Sequence, residues 1–225
     1  GALRRIALYG GTFDPVHTGH LEVACRVLQL FEIEKVLFIP AQMAPHKIGR
    51  TVTEPIHRYA MLALATQDDP RLLISTFELD APDRRYTVDT IESFQQALND
   101  STELFFIMGA DSWSEITTWR EWERLLSMTN HIVVTRPGYE PVTTHIGAIS
   151  ERVVDVRGSQ SPPIERAKKI YLTDVVMKDV SATNIRRLAS EGRTEELTGL
   201  VPGPVLEYIK KYGIYRELNE AKLNS

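Results

Sequence analysis

Two glycines set directly between an apolar run and an amphipathic run constrain this chain most. Arg5 to Tyr9 (RIALY) has the aliphatic content of a buried strand, and Gly10 and Gly11 follow at once. From Leu21 to Phe31 the apolar residues Leu21, Val23, Ala24, Val27, Leu28 and Phe31 recur at helical spacing, and Lys35 to Ile39 (KVLFI) is a second strand-like run. Strand, glycine loop, helix, strand is a βαβ unit, which lays its two strands parallel.

The alternation continues down the chain. It predicts a helix near Ile56 to Gln67, a strand near Leu72 to Leu79, a helix near Val88 to Leu98 and a strand at Leu104 to Met108. A helix around Trp119 to Met128 and a strand at His131 to Thr135 follow. Between Pro137 and Ile170 the sequence is richer in Pro, Gly and Ser and reads as irregular, with a short strand at Arg152 to Val156. Ile170 to Leu172 re-enters the sheet. Ser181 then suits the N-cap of a helix carrying Ile185, Leu188 and Ala189, and Pro202 and Gly213 bracket a closing helix with Val205, Leu206 and Ile209. The expected fold is α/β, a Rossmann-like doubly wound parallel sheet with a small C-terminal helical portion over about residues 181–218, the whole of 1–225 forming one domain.

Composition narrows the function classes. With 225 residues, 43% apolar and 25% charged, the chain can bury a substantial core. Its net charge of −4 removes the broad attraction that nucleic-acid or anionic-membrane partners require, while leaving a small anion held by local groups fully compatible. Cys25 is the single cysteine, which excludes an intrachain disulfide and a cysteine zinc site and fits a reducing compartment. No apolar run approaches the ~20 residues needed to span a bilayer, and the start of the sequence lacks a secretory signal's apolar core. A cytoplasmic setting is expected.

The first loop carries the chemistry. Gly10 and Gly11 permit a tight turn and let backbone N–H groups approach a phosphate. The loop enters a helix at about Gly19, whose positive end attracts anions. His17 and His20, three apart at that same end, can turn ring nitrogens toward one ligand. Together these groups describe a triphosphate cradle. The same pair could ligate a metal ion, but a third ligand is not evident nearby and the glycines would then be unexplained, so no protein-held metal site is expected.

GGTFDPVHTGH, Gly10 to His20, resembles the (H/T)xGH signature of the nucleotidyltransferase superfamily, and its lead-in through Thr12 and Phe13 is similar to the adenylyltransferase branch. SATNIR, Ser181 to Arg186, resembles that superfamily's second element. Two hydroxyls and a guanidinium at a helix start suit β- and γ-phosphate oxygens, and the resemblance adds Ile185 to the nucleotide contacts. QMAPHK resembles the PPHK loop of the nicotinate mononucleotide adenylyltransferases, with Ala44 replacing the first proline, and implies that His46 and Lys47 meet the attacking phosphate or the α-phosphate.

Four further segments resemble the same family. GADSW implies that Gly109 and Asp111 meet the nucleotide. YTVDT implies that Tyr86 and the backbone near Thr87 receive the nicotinate carboxylate, although Arg85 stands where serine is usual. Trp119 in TTWREW matches the aromatic that stacks on the pyridine ring, and Arg136 in TRPGY matches a substrate-phosphate or loop-anchoring arginine. The closing VPGPVLEYIKKYGIY is also similar, so the resemblance spans nearly the whole chain.

The resemblance implies transfer of AMP from ATP to nicotinate mononucleotide, with release of pyrophosphate and formation of nicotinate adenine dinucleotide. It assigns His17, His20 and Lys47 to charge near the scissile bond, and Ser181, Thr183 and Arg186 to the departing pyrophosphate. Mg²⁺ is expected to bridge phosphate oxygens while keeping several waters, without a carboxylate cage. Pantetheine phosphate and nicotinamide mononucleotide are rival acceptors, a non-catalytic ATP sensor is a rival of another class, and monomer and homodimer both fit the likeness.

Overall fold

The structure is a computed structural model, and it describes residues 3–42, 52–83, 85–136, 138–174 and 179–216. Seven strands form one sheet: β1 (Arg4–Gly11), β2 (Lys35–Pro40), β3 (Leu72–Ile74), β4 (Thr102–Gly109), β5 (Asn130–Val134), β6 (Val153–Asp155) and β7 (Ile170–Thr173). Their order is β3-β2-β1-β4-β5-β7-β6, and every neighbouring pair runs parallel. The helices are α1 (Thr18–Leu30), α2 (Pro55–Thr66), α3 (Thr87–Ala97), α4 (Ala110–Ser114), α5 (Trp122–Met128), α6 (Ala182–Ser190) and α7 (Gly203–Tyr212).

Because strand side chains alternate between faces, β1 and β4 feed two cores. Ala7, Tyr9, Phe105 and Ile107 pack with Val23 and Val27 of α1, Met61 and Leu62 of α2, Leu188 of α6 and Ile209 of α7. Leu8, Leu104, Phe106 and Met108 pack with Val88 and Ile91 of α3, Trp113 of α4, and Leu125 and Leu126 of α5. Helices therefore cover both faces of a parallel sheet, which is the doubly wound arrangement expected.

Three boundaries differ from the sequence reading. The strand foreseen over Leu72 to Leu79 stops at Ile74: Ser75 N–H makes the last ladder bond, to the Phe38 carbonyl (2.8 Å), and the chain then turns, Asp80 N–H donating to the Thr76 carbonyl (2.8 Å) and the Thr76 hydroxyl to Asp80 (2.6 Å). The helix foreseen from Trp119 begins only at Trp122, after a 3₁₀ turn over Ile116–Thr118. Trp119 itself is extended and Glu121 adopts φ 50°. Within the stretch read as irregular, Thr144–Arg152 forms 3₁₀ turns around a kink at Gly147 (φ 58°), ahead of the short strand β6.

Candidate active site

Chain order reverses between β1 and β4: β1 leads outward to β2 and β3, and β4 begins the other half. In an open parallel sheet such a reversal leaves a crevice beyond the strands' carboxyl ends, where loops diverge to opposite faces. A cavity of about 700 Å³ opens there, lined by Gly10 and Gly11 at the end of β1 and by Gly109, Ala110 and Asp111 at the end of β4. Its size suits a nucleotide-scale ligand. The same cavity is lined by Thr12, Phe13, His17, His20, Tyr86, Thr87, Trp119, Arg136, Ser181, Thr183 and Arg186, so segments far apart in sequence meet around one space. His46 and Lys47 lie outside the described residues.

The glycines act differently from the sequence reading. Gly10 and Gly11 are the last residues of β1, not a turn after it. A Cβ on Gly10 would sit 2.9 Å from the Phe106 ring, and one on Gly11 would sit 3.1 Å from the Phe13 ring. The first contact could not form without a shift of the Phe106 ring, and the second is tighter than ordinary packing. Phe13 holds φ 51°, a left-handed conformation uncommon for a bulky residue, with its ring buried.

His17 is the N-cap of α1. Its Nδ1 accepts the N–H groups of Gly19 (3.1 Å) and His20 (3.4 Å), while His20 Nδ1 accepts the N–H of His17 (3.1 Å). The rings stack at 3.7 Å with a 21° tilt. Since each Nδ1 is an acceptor, the neutral form of each ring carries its proton on Nε2, leaving that nitrogen as a donor. Burial, with 7% of His17 exposed, pushes its pKa down to about 4, so its ring is neutral at pH 7.

This capping occupies the first turn of α1. The amides at the start of α1 do not face a ligand: Thr18 N–H donates to the Leu200 carbonyl at 3.0 Å, and those of Gly19 and His20 are held by His17. What the helix start brings to the cavity is its dipole and the rings of His17 and His20, which both line it. Gly19 is required because a Cβ there would lie 2.9 Å from His17 Cε1.

The second motif enters from the far end of the chain. Ser181 caps α6, its Oγ accepting from Asn184 N–H at 3.2 Å. Arg186 donates to the Asp14 carbonyl (2.8 Å) and to Thr183 Oγ (3.1 Å), which ties the motif to the first loop. Ile185 departs from expectation. Its side chain is fully buried in the core and absent from the cavity lining, because it lies on the inward face of α6 with Leu188 and Ala189.

The remaining residues form the opposite wall. Tyr86 is the N-cap of α3 and Thr87 its first residue, so the positive end of that helix faces the cavity. Arg120 lies over the Tyr86 ring at 4.7 Å, and Arg85 over Phe77 at 4.2 Å. Arg136 pairs with Asp179 at 3.3 Å, both exposed, an arrangement of little energetic weight that a bound phosphate could replace. Trp113 is core: fully buried, it donates Nε1–H to the Val142 carbonyl at 2.8 Å.

Sequence reasoning passed over Glu78, Asp14 and Arg58. Glu78 lines the cavity and accepts the Thr90 hydroxyl at 3.0 Å; burial pushes its pKa up to about 7 against that hydrogen bond and the charge of Arg85. Asp14, 2% exposed, accepts the Tyr215 hydroxyl (2.7 Å) and Thr53 N–H (3.1 Å). The FDP run containing Asp14 was a visible signal; Arg58 and Glu78 carry none. Among the described residues no group of three His, Cys, Asp or Glu side chains could hold a metal ion by itself. Asp111 in the lining fits an ion carried on nucleotide phosphates rather than in a protein cage.

Comparison with known proteins gives consistent results. Residues 8–188 match the cytidylyltransferase-like family. A protein of Thermoanaerobacter sp. (strain X514) named "Probable nicotinate-nucleotide adenylyltransferase" is 39% identical over 96% of this chain and 96% of its own. One of the same name from Desulfitobacterium hafniense (strain Y51) is 38% identical over 95% of this chain and 96% of its own. In fold, the chain resembles the solved structure of Plasmodium falciparum nicotinic acid mononucleotide adenylyltransferase complexed with NaAD. The TM-score is 0.71 at 20% identity, covering 94% of this chain and 97% of that one. Among the described residues no helix is long and apolar enough to cross a membrane.

Proposed function

The chain belongs to the cytidylyltransferase-like family and, within it, to the nicotinate-nucleotide adenylyltransferases, and from that premise we propose how its cavity works. The reaction transfers AMP from ATP to nicotinate mononucleotide, giving nicotinate adenine dinucleotide and pyrophosphate in NAD biosynthesis. The observation that carries the site assignment is that one cavity gathers the stacked His17 and His20 with Ser181, Thr183 and Arg186 on one side and Tyr86, Thr87 and Trp119 on the other.

An oxygen of the mononucleotide's phosphate attacks the α-phosphorus of ATP in line, and the bond from that phosphorus to the pyrophosphate oxygen breaks. A phosphate monoester loses its second proton near pKa ≈ 6, so the nucleophile is already anionic and no protein base is needed. The chain's work is positioning and charge stabilisation. His17 and His20 turn their Nε2 sides to oxygens around the reacting phosphorus, in directions fixed by their Nδ1 bonds. Ser181, Thr183 and Arg186 take the β- and γ-phosphates, and Lys47 and His46 meet the two phosphates that come together. Mg²⁺ bound with the nucleotide would supply further charge neutralisation.

At the acceptor end, Trp119 stacks on the pyridine ring, the start of α3 at Thr87 receives the nicotinate carboxylate, and Arg136 exchanges Asp179 for substrate phosphate. A helix start favours a carboxylate over a neutral amide, which supports preference for the acid. The reading places the protein in the cytoplasm. Turnover measured side by side with nicotinate and nicotinamide mononucleotides tests it: the acid is expected to be favoured at least tenfold in kcat/KM, and equal or reversed preference would contradict the assignment of Thr87.

A further inference from the structure

Arg58 sits in the first turn and a half of α2 with none of its surface exposed. Its guanidinium donates Nε–H to the Thr53 carbonyl (2.8 Å), Nη1–H to the Thr12 carbonyl (2.8 Å) and Nη2–H to the Gln42 carbonyl (3.2 Å). These acceptors belong to three separate stretches: the loop leaving β1, the chain leaving β2, and the approach to α2. Burying a guanidinium is unfavourable unless its donors are satisfied, and an apolar side chain of similar volume usually packs as well or better. Its planar fork donates from three separate nitrogens to three fixed carbonyls, a spread that a lysine's single nitrogen does not have.

The three carbonyls are not arbitrary. Thr12 lies in the loop that lines the cavity beside His17. Gln42 and Thr53 flank the sequence positions that contain His46 and Lys47. Thr53 is gripped on both sides, its carbonyl by Arg58 and its N–H by Asp14 at 3.1 Å. The Asp14 carbonyl in turn accepts Arg186 at 2.8 Å. A continuous run of bonds thus leads from α2 through Thr53 and Asp14 to the residue assigned to pyrophosphate.

We propose that Arg58 is a positioning residue for AMP transfer: it fixes the nucleotide loop at Thr12 relative to the two backbone ends, Gln42 and Thr53, that bracket the acceptor-phosphate residues. It touches no substrate itself. The link to catalysis rests on the reading of the cavity given above, whereas the clamp is a property of the chain alone, and the test separates the two.

Arg58→Met keeps an unbranched apolar stem and removes the guanidinium with all its donors. In amide hydrogen exchange on the full chain, peptides spanning residues 10–16 and 52–58 should exchange at least tenfold faster in the variant than in the parent, while peptides from β4 change less than twofold. Unchanged exchange in both segments would overturn the proposal, whatever the activity. In steady-state assays with ATP and nicotinate mononucleotide, kcat should fall tenfold or more, since a displacement of about 1 Å can cost about a hundredfold. The dissociation constant for ATP should stay within threefold. Turnover within twofold of the parent would reduce Arg58 to a packing role. Should Arg58→Met fail to fold, Arg58→Lys, which keeps the charge but not the fork, decides by the same two readouts. A parent that shows no transfer would refute the reading of the cavity and leave the exchange result to judge the clamp.

Discussion

Replacing Gly19 by alanine tests the histidine pair without removing a histidine. The new methyl carbon would stand 2.9 Å from His17 Cε1 and 3.0 Å from its Nδ1. That ring has little room to move: it is 7% exposed, stacked on His20 and bonded to two backbone N–H groups. Crowding a packed position costs ~1–3 kcal/mol, and loosening the cap costs about 1 kcal/mol more. Removing a helical glycine offsets up to ~1 kcal/mol. The net is ~1–3 kcal/mol, a fall in Tm of roughly 2–12 °C at ~2–4 °C per kcal/mol for a chain of this size. Turnover should suffer more, because a shifted ring carries its Nε2–H off the reacting phosphate, and one such donor is worth ~10²–10³ in kcat. Calorimetry and a coupled pyrophosphate assay on the same preparation give both numbers. A variant with kcat within threefold of the parent at a temperature where it is folded would refute the role given to the His17 donor.

Stability should carry two opposed pH signatures. His17 has a folded pKa near 4, below its ordinary 6.5, so its contribution is complete above pH 6.5 and is lost as pH falls through 4, ~3 kcal/mol at most. In denaturant titrations His17→Asn, which retains a cap, should flatten the stability profile between those values; an unchanged slope would contradict a buried neutral imidazole. Glu78 runs the other way. Its folded pKa near 7 lies above 4.5, so its contribution is complete below pH 4.5 and disappears as pH rises through 7, and Glu78→Gln should remove that decline. Trp119→Ala should raise KM for nicotinate mononucleotide roughly 3–10-fold through lost stacking while leaving KM for ATP unchanged; an effect confined to ATP would put the ring on the wrong substrate. His20→Ala should lower kcat about 10²-fold or more, and near-normal turnover would remove it from the chemistry.

What the sequence disclosed follows from how local each signal is. The strands β1, β2, β4 and β5 are continuous apolar runs bounded by turn residues, so periodicity finds them. The motif at Gly10 to His20 is contiguous and appears whole. The early end of β3 depends on the Thr76–Asp80 turn, which apolar patterning does not encode. Trp119 reads as helical, yet its extended backbone is what turns it into the cavity wall. Ile185 falls inside the motif Ser181 to Arg186, but helical spacing from Leu188 and Ala189 puts it in the core. Arg58 was hidden most completely: an arginine early in an amphipathic helix reads as solvated, and only the meeting of Thr12, Gln42 and Thr53 buries it. The bond from Asp14 to Tyr215 joins opposite ends of the chain and is invisible for the same reason.

The most direct test incubates the purified chain with ATP, nicotinate mononucleotide and Mg²⁺ and follows both products. Pyrophosphate and nicotinate adenine dinucleotide should appear in equal amounts, only when both nucleotides are present, and omission of Mg²⁺ should suppress both. Binding of ATP without pyrophosphate release under any of these conditions would contradict the account and leave a nucleotide sensor in its place.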